Sequence, residues 1–146
     1  MKLLKQMSQD GRGDNLNELL KHIPYAAFLG LTVEHRDNEV ITVLPFNEQL
    51  VGNVNLPAIH GGAIGALLEA TAVLQLIADT GCQRFPKTID VSFDYLRSAR
   101  ACTTYGRAIV TRQGRRVANV RAELWQDNRS KPVAAGHGHF LLSSLD

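Results

Sequence analysis

The stretch that decides the fold is HGGAIGALLEATAVLQLIADTG, which runs from His60 to Gly81. From Gly61 to about Thr80 it is rich in Ala and Leu, which favours a helix, and Gly81 is a natural C-terminal stop. The segment is apolar on nearly every face, and a helix of that kind is normally buried. The sequence therefore predicts a long central helix with other elements packed around it.

Glu69 is the only charged residue between Gly61 and Ala78, and it lies between Leu68 and Ala70. Burying an isolated carboxylate is costly, so this side chain must be paired, be protonated or face a water-filled cleft. A carboxylate of this kind suits acid–base chemistry. A Glu that is hydrogen-bonded internally, or that lies at the exposed edge of the helix, would be purely structural, and the residues alone leave both interpretations open.

The run His60-Gly61-Gly62 stands at the start of the predicted helix. The first N–H groups of a helix lack internal partners and carry a partial positive charge, and glycine lets a ligand approach the backbone closely. The run is therefore a candidate oxyanion-binding corner, although a tight turn into a helix would use the same residues.

The corner and the acid cannot act together within one chain. Nine residues of helix span roughly 13 Å, whereas an oxyanion donor and a carboxylate must both lie within about 3–4 Å of the reacting atoms. Two such helices running antiparallel would bring Gly61 of one chain close to Glu69 of another. We therefore predict a site shared across a homodimer, with two sites in each dimer.

The residues before this helix predict a short helix and a hairpin. Asp14 or Asn15 is expected to cap a helix that runs through about His22 and is closed by Pro24. Two strands follow, joined by a turn at Asp37-Asn38.

The order of the remaining elements predicts the fold class. Residues 47–59 contain several helix and strand breakers and are expected to form a loop. Strands around one helix indicate an α+β architecture with a mostly antiparallel sheet, and the simplest packing wraps that sheet around the helix. The strands predicted after the helix are Thr88–Leu96, Cys102–Thr111, Arg116–Trp125 and Lys131–Leu142.

Composition narrows the class of protein. A chain of 146 residues with 45% hydrophobic and 21% charged residues is expected to form one globular domain, at 25–146, preceded by an extension with a short helix at 1–24. Cys82 and Cys102 match no ligand spacing, which argues against a metal site and favours reduced thiols in the cytoplasm. The longest apolar stretch, 63–78, is only about 16 residues long and contains one acid, so no membrane partner is expected.

Charge is distributed unevenly along the chain. Residues 1–81 carry nine acidic and five basic side chains, whereas residues 82–146 carry five acidic and eleven basic ones, of which nine are arginines. Arginine suits bidentate contacts with phosphate or carboxylate, so an anionic ligand fits this half of the chain. Nucleic acid is not expected as a partner, because the net charge is only +2 and no long basic run occurs.

Three features together resemble the hotdog-fold acyl-CoA thioesterases of the phenylacetate-degradation and 4-hydroxybenzoyl-CoA type. They are the run His60-Gly61-Gly62, the acid nine positions after that histidine, and the stretch DVSFDYLRSA at 90–99. The turn at Gly114-Arg115-Arg116 and the closing strand at 133–142 fit as well. The resemblance implies a hotdog fold, in which an antiparallel sheet wraps around a long buried helix, and hydrolysis of an acyl-CoA thioester to a free acid and CoA.

The resemblance also implies a role for each matching residue. Glu69 corresponds to the catalytic carboxylate, which acts as a general base on water or as a nucleophile. Gly61 corresponds to the residue whose N–H polarises the thioester carbonyl, and His60 to the histidine before it, which positions this turn or the thioester. Thr88 corresponds to a hydroxyl residue that orients the nucleophilic water in some members, although a Thr that simply begins a strand would be purely structural. No metal or cofactor is implied beyond CoA as part of the substrate, and the dimers of this family commonly pair into tetramers.

The resemblance implies that basic side chains hold the CoA phosphates. The candidates are Arg97, Arg112, Arg115 and Arg116, with Gly62 as a further substrate-binding residue. A solvated turn would place the same arginines at the surface, so both interpretations stay open.

The sequence departs from the family pattern before the histidine. Many relatives carry Asn or Gln six residues before it, where this chain has Val54 flanked by Asn53 and Asn55. Either flanking amide could replace the missing polar contact after a small shift of the loop. The usual glycine three residues before the histidine is Pro57 here.

Two other functions remain as alternatives. One is a non-catalytic protein that binds acyl-CoA or an acyl-carrier protein, and the other is an enoyl-thioester hydratase. The hydratase arrangement usually needs an Asp–His pair at a spacing that is absent here. His137 and His139 fall on one face of a strand, but no third metal ligand accompanies them, so packing or a surface role is expected. The acyl group itself cannot be predicted from the sequence.

Overall fold

The computed structural model describes residues 15–81 and 85–142. The predicted cap at Asp14, most of the predicted N-terminal extension and Cys82 lie outside these residues, and the domain boundary after residue 24 stays a prediction. The elements are α1 (Asn15–Lys21), α2 (Pro24–Leu29), β1 (Thr32–Arg36), β2 (Glu39–Leu44), a 3-10 turn (Glu48–Leu50), β3 (Val51–Asn53), β4 (Ala58–Ile59), α3 (Gly61–Thr80), β5 (Lys87–Tyr95), β6 (Thr104–Gln113), β7 (Val117–Trp125) and β8 (Ala134–Leu141).

Two short helices, rather than one, precede the first strand. The prediction that Pro24 closes a helix is wrong in part: α1 ends at Lys21, but Pro24 then begins α2. Proline suits the first position of a helix, where its missing N–H would have had no partner. Gly30 ends α2 in the left-handed conformation, with a φ of 70°. The pair presents buried leucines and an alanine to the core, namely Leu16, Leu19, Leu20, Ala26 and Leu29.

Six strands form one antiparallel sheet in the order β1-β2-β6-β7-β8-β5. The predicted hairpin is confirmed: Arg36 pairs with Glu39 across a turn whose residues Asp37 and Asn38 have φ values of 48° and 65°. Positive φ at both positions is the signature of the turn that matches the twist of two strands. The four strands predicted after the central helix are also present, and the α+β class is confirmed.

Helix α3 lies against the inner face of this sheet. His60 caps its start and Gly81, with a φ of 59°, ends it. By length and composition α3 could cross a membrane, but a buried core helix passes the same test, and most of α3 is buried within the fold. The buried residues are Ala63, Ile64, Gly65, Leu67, Leu68, Thr71, Ala72, Val73, Leu74, Leu76 and Ile77.

The segment before α3 is more regular than the sequence indicates. Residues 47–59 were expected to be a loop, but they contain a 3-10 turn and a small two-stranded sheet of β3 and β4. Gly52 makes this possible, because a Cβ atom there would lie 2.7 Å from the Cα of His60. The short sheet therefore holds the start of α3 against the rest of the chain.

Strand β5 forms one edge of the sheet and is exposed along almost its whole length. Its pairing with β8 shifts by one residue between Thr88 and Asp90, which leaves Ile89 as a bulge. Thr88 is opposite the fully buried Phe140 and faces α3, whereas Asp90 is opposite His139 on the outer face. A bulge of one residue reverses the alternation of side chains, and here it turns Thr88 inward.

Candidate active site

Glu69 and Thr88 meet beside an apolar cleft of about 210 Å³. The Thr88 hydroxyl donates a hydrogen bond to Glu69 Oε1, with 2.5 Å between the oxygens. The Glu69 side chain is half-buried on α3, and its helical neighbours Ala66 and Ala70 line the same cleft. The acid that the sequence singles out is thus both paired and in contact with a cleft.

The start of α3 has the geometry of an anion-binding corner. His60 Nδ1 accepts the N–H of Gly62 at 2.8 Å, so the imidazole caps the helix and uses one of its first donors. The Gly61 N–H has no acceptor among residues 15–81 and 85–142. An unpaired N–H at the positive end of a helix is suited to hold an oxygen that develops negative charge.

Tyr95 fixes the other side of this corner. Its hydroxyl donates to the Gly61 carbonyl oxygen at 2.9 Å, and its ring would lie 3.5 Å from a Cβ atom at position 61. Tyr95 and Gly61 line a second cleft of about 420 Å³ together with Arg97. Arg97 donates to the Pro132 carbonyl at 2.6 Å, which holds the guanidinium at the rim of this cleft.

Within one chain the two halves of the site stay apart. Gly61 and Glu69 are eight residues apart on one regular helix, which corresponds to about 12 Å along its axis. Each half also has its own contact with β5: Tyr95 bonds to Gly61, and Thr88 bonds to Glu69. One molecule therefore presents a carboxylate with a hydroxyl at one place and a free N–H at another.

The other predicted substrate-binding residues lie outside both clefts. Arg112 is on β6, and Arg115 and Arg116 are in the turn to β7. All three are exposed. None of them lines either cleft.

The amides beside Val54 are in an exposed turn. Asn53 Oδ1 accepts the backbone N–H groups of Asn55 and Leu56, at 3.0 and 3.2 Å. The Asn53 oxygen thus stabilises the turn between β3 and β4. Neither amide lines the cleft that contains Gly61.

Two groups of ion pairs with shifted pKa values do not line either cleft. Glu39 on β2 accepts hydrogen bonds from Arg129 at 2.7 Å and from Arg107 at 3.3 Å. The Arg129 guanidinium, and then Arg107, hold the pKa of Glu39 below its usual value. Arg100 forms an ion pair with Asp127, which raises the pKa of Arg100. The Glu39 pairs connect β2 with β6 and with the segment after β7, and Arg100–Asp127 connects the segments before β6 and after β7.

The two strand histidines have no metal partners in the described chain. His139 Nδ1 lies 2.8 Å from Asp90 Oδ1 on the outer face of the sheet. Within residues 15–81 and 85–142, no three His, Cys, Asp or Glu side chains are grouped as a metal site requires. The Asp90–His139 pair faces away from α3, so it does not contribute to either cleft.

Sequence reasoning missed two contributions to the site. Tyr95 belongs to the stretch that carries the family resemblance, but no role was predicted for it, although its place at the end of β5 could have suggested contact with the helix start. Residues of α1 and α2, including Leu20 and Leu29, line the cleft beside Glu69. Their apolar pattern indicated only core packing.

Comparison with known proteins identifies the family. The model of the thioesterase superfamily matches residues 56–133, which is more than half of the chain and includes Gly61, Glu69 and Thr88. The chain belongs to the thioesterase superfamily. The enzyme class and the hotdog fold expected from the resemblance are therefore confirmed.

Individual relatives agree with this assignment. The Salmonella typhimurium protein named medium/long-chain acyl-CoA thioesterase YigI is 32% identical, covering 74% of this chain and 79% of its own. A Chromobacterium violaceum protein of known structure is 34% identical, with a TM-score of 0.77 over the full length of both chains. A Bacillus halodurans protein solved with CoA has a TM-score of 0.76 at 19% identity, covering 99% of this chain and 94% of its own, which shows a shared fold.

Proposed function

We propose that this protein hydrolyses acyl-CoA thioesters to a free acid and CoA, with Glu69 acting on the thioester from one subunit and Gly61 from a second. The observation that carries the proposal is the hydrogen bond from Thr88 to Glu69 beside an apolar cleft. A carboxylate held by a hydroxyl can receive a proton from water, and the cleft can receive an apolar acyl group. The naming of the Salmonella typhimurium relative supports acyl-CoA as the substrate.

The edge strand supports a homodimer with shared sites. An exposed edge strand with large apolar side chains is a ready surface for pairing with another copy, and on β5 these include Ile89, Phe93 and Tyr95. β5 contacts α3 at two points, through Thr88 to Glu69 and through Tyr95 to Gly61.

Antiparallel pairing of two β5 strands about an axis near Val91 would complete the site. Thr88 of one subunit would then lie opposite the partner's Tyr95, and Glu69 would lie beside the partner's Gly61. The two halves that are about 12 Å apart in one chain would meet across the interface. A two-fold axis generates two equivalent sites, and further pairing of dimers would give the tetramer expected from the resemblance.

The proposed chemistry needs few groups. In the general-base route, Glu69 takes a proton from water while the water oxygen forms a bond to the thioester carbon. The partner's Gly61 N–H stabilises the resulting oxyanion, and collapse of the intermediate breaks the carbon–sulfur bond and releases CoA thiolate. In the nucleophilic route, a Glu69 oxygen attacks the thioester carbon, CoA thiolate leaves as the carbon–sulfur bond breaks, and water then hydrolyses the resulting anhydride. Oxygen-18 from labelled water would enter the carboxylate of Glu69 only in this second route, when water attacks the Glu69 carbonyl carbon of the anhydride.

The remaining parts of the proposal concern CoA and the compartment. Arg97 lines the same cleft as Gly61 and is the best placed of the predicted arginines for a CoA phosphate. A Bacillus halodurans protein that shares this fold was solved with CoA, which supports the proposal. CoA enters only as part of the substrate, and no metal or other cofactor takes part in the proposed steps. The Cys102 thiol is free, which suits the reducing cytoplasm.

The test is thiol release from a panel of aryl- and alkyl-CoA esters. The Glu69→Gln protein should lose at least about a hundredfold in kcat, because a general base contributes roughly 10²–10⁴. Asp79→Asn is the matched control, since Asp79 is an exposed acid on the same helix whose partner among the described residues is Gln75. Equal turnover by Glu69→Gln and wild type would refute the assignment of Glu69. Binding of esters without release by wild type would instead favour the non-catalytic binding protein.

A further inference from the structure

The cleft beside Glu69 has two walls of different origin. One wall is a side of α3, with Ala66, Ala70 and Val73 around the acid. The opposite wall comes from the N-terminal helices and includes Leu20, Ile23, Tyr25 and Leu29. Residues Phe85 and Pro86 close the side towards β5. A group that enters the cleft at Glu69 therefore contacts α1 and α2 as soon as it extends away from the acid.

The N-terminal wall lies outside the part of the chain that defines the family. The family match begins at residue 56 and includes Glu69 and Thr88, but Leu20 to Leu31 precede it. The family model thus covers the groups placed to act on the thioester but does not cover this wall. Such a division is expected where one reaction is combined with different acyl groups.

We propose that α1 and α2 form the acyl-binding wall that sets which chain length this enzyme accepts. The inference rests on the proposed function, because it takes the acyl group to start at Glu69. Among residues 15–81 and 85–142, the cleft is lined almost wholly by apolar side chains and by no cation, so it favours an unbranched alkyl chain over an acyl group with a second carboxylate. An apolar cavity of about 150 Å³ holds benzene. By proportion, about 210 Å³ has room for roughly eight carbons.

Two aromatic residues on α2 provide a matched pair of variants. Tyr25 and Phe28 stack with 5.9 Å between ring centroids, and both are largely exposed, at 55% and 62%. Tyr25 lines the cleft and Phe28 does not. Truncation of either removes a similar exposed ring from the same helix, so a difference between the two variants reports on the cleft rather than on α2.

Ile23 provides the opposite perturbation. Ile23 is the extended residue before α2, is partly buried and lines the cleft. A larger side chain at this position would therefore fill space that the acyl chain needs. Each methylene that loses its place in an apolar cleft costs about fourfold in binding. Ile23→Trp should therefore affect long acyl chains and leave short ones nearly unchanged.

The experiment compares wild type, Tyr25→Ala, Phe28→Ala and Ile23→Trp with butyryl-, octanoyl-, lauroyl- and palmitoyl-CoA. We expect Ile23→Trp to lower the octanoyl-to-butyryl ratio of kcat/KM by about tenfold or more. Tyr25→Ala should raise KM for octanoyl-CoA severalfold with little change in kcat, and Phe28→Ala should match wild type. Circular dichroism and Tm establish that each variant is folded.

The possible failures are distinguishable. If wild type is active but neither Ile23→Trp nor Tyr25→Ala changes the chain-length profile, α1 and α2 do not set it and this inference is overturned while the proposed function stands. If Ile23→Trp does not fold, the exposed Tyr25→Ala variant decides. If wild type releases no thiol, the proposed function fails. The dissociation constants of the unhydrolysed octanoyl and butyryl esters are then compared between the same variants.

Discussion

Replacing Gly61 by proline would remove one hydrogen-bond donor from the candidate site and leave the fold in place. Gly61 is the first residue of α3, a position where proline is favoured, and the preceding His60 has the extended conformation that a residue before proline adopts. A Cβ atom at position 61 would lie 3.5 Å from Tyr95, an ordinary contact. Proline also lowers the conformational entropy of the unfolded chain, which should raise the free energy of unfolding by about 0.4–1 kcal/mol.

Activity should respond in the opposite direction. Removing one oxyanion donor typically costs about 10²–10³ in kcat, so Gly61→Pro should be nearly inactive with an unchanged or higher Tm. Gly61→Ala keeps the N–H and is the control. Both are assayed by thiol release from the ester that wild type hydrolyses fastest. A Gly61→Pro protein with wild-type kcat would refute the assignment of this N–H as the oxyanion donor.

The same variant tests whether the site is shared between subunits. Gly61→Pro and Glu69→Gln are each expected to be inactive alone, but a mixed dimer would contain one site with both defects and one with neither. Refolding an equal mixture should restore roughly a quarter of wild-type activity, since half of the dimers are mixed. A mixture as inactive as its components would show that each site uses one chain.

Two further predictions concern Thr88 and Glu39. Thr88→Val removes the hydroxyl that donates to the Glu69 carboxylate. A charge-assisted hydrogen bond is worth about 1.5–3 kcal/mol, and because this one is exposed, kcat should fall about tenfold with little change in KM. Thr88→Ser should restore kcat, and a Ser variant as slow as the Val variant would contradict the role of the Thr88 hydroxyl. Arg129 and Arg107 hold the pKa of Glu39 below the ordinary 4.5, so their contribution to stability is present at neutral pH and is lost as the pH falls through the lowered pKa. In urea unfolding at neutral pH, Glu39→Gln should have a free energy of unfolding lower than that of wild type by up to about 1 kcal/mol. At strongly acidic pH the two proteins should be equally stable. A difference that persists in acid would contradict the ion-pair explanation.

Much of the fold follows from patterns that act locally. The all-round apolar character of α3 predicted its burial, and the Asp37-Asn38 pair predicted a hairpin because both residues tolerate positive φ. The secondary-structure predictions were wrong where one residue type is compatible with two different local structures. Pro24 both prevents one helix from continuing and begins another, and the breakers around Gly52 are compatible with short strands as well as with a loop.

The site was predictable as a set of residues but not as a geometry. The acid and the glycine corner stand out in the sequence because their chemistry differs from that of their neighbours. The resemblance implied only that Thr88 orients the water, and its contact with Glu69 was not predicted, because simple alternation along β5 places Thr88 on the same face as Asp90. The wall from α1 and α2 depends on tertiary packing, which apolar periodicity does not specify.

The bulge at Ile89 makes the length of β5 as important as its composition. Thr88 and Tyr95 both face α3 only because the unpaired residue Ile89 shifts the pairing of β5 with β8 between them. Substitutions along the strand exchange one side chain, whereas deletion of a single residue between Thr88 and Val91 would rotate the hydroxyl to the outer face and leave the carboxylate without its partner. Evolution of this strand should therefore tolerate changes of residue far more readily than changes of residue number, and relatives that lack the bulge would have to supply the hydroxyl from a neighbouring position.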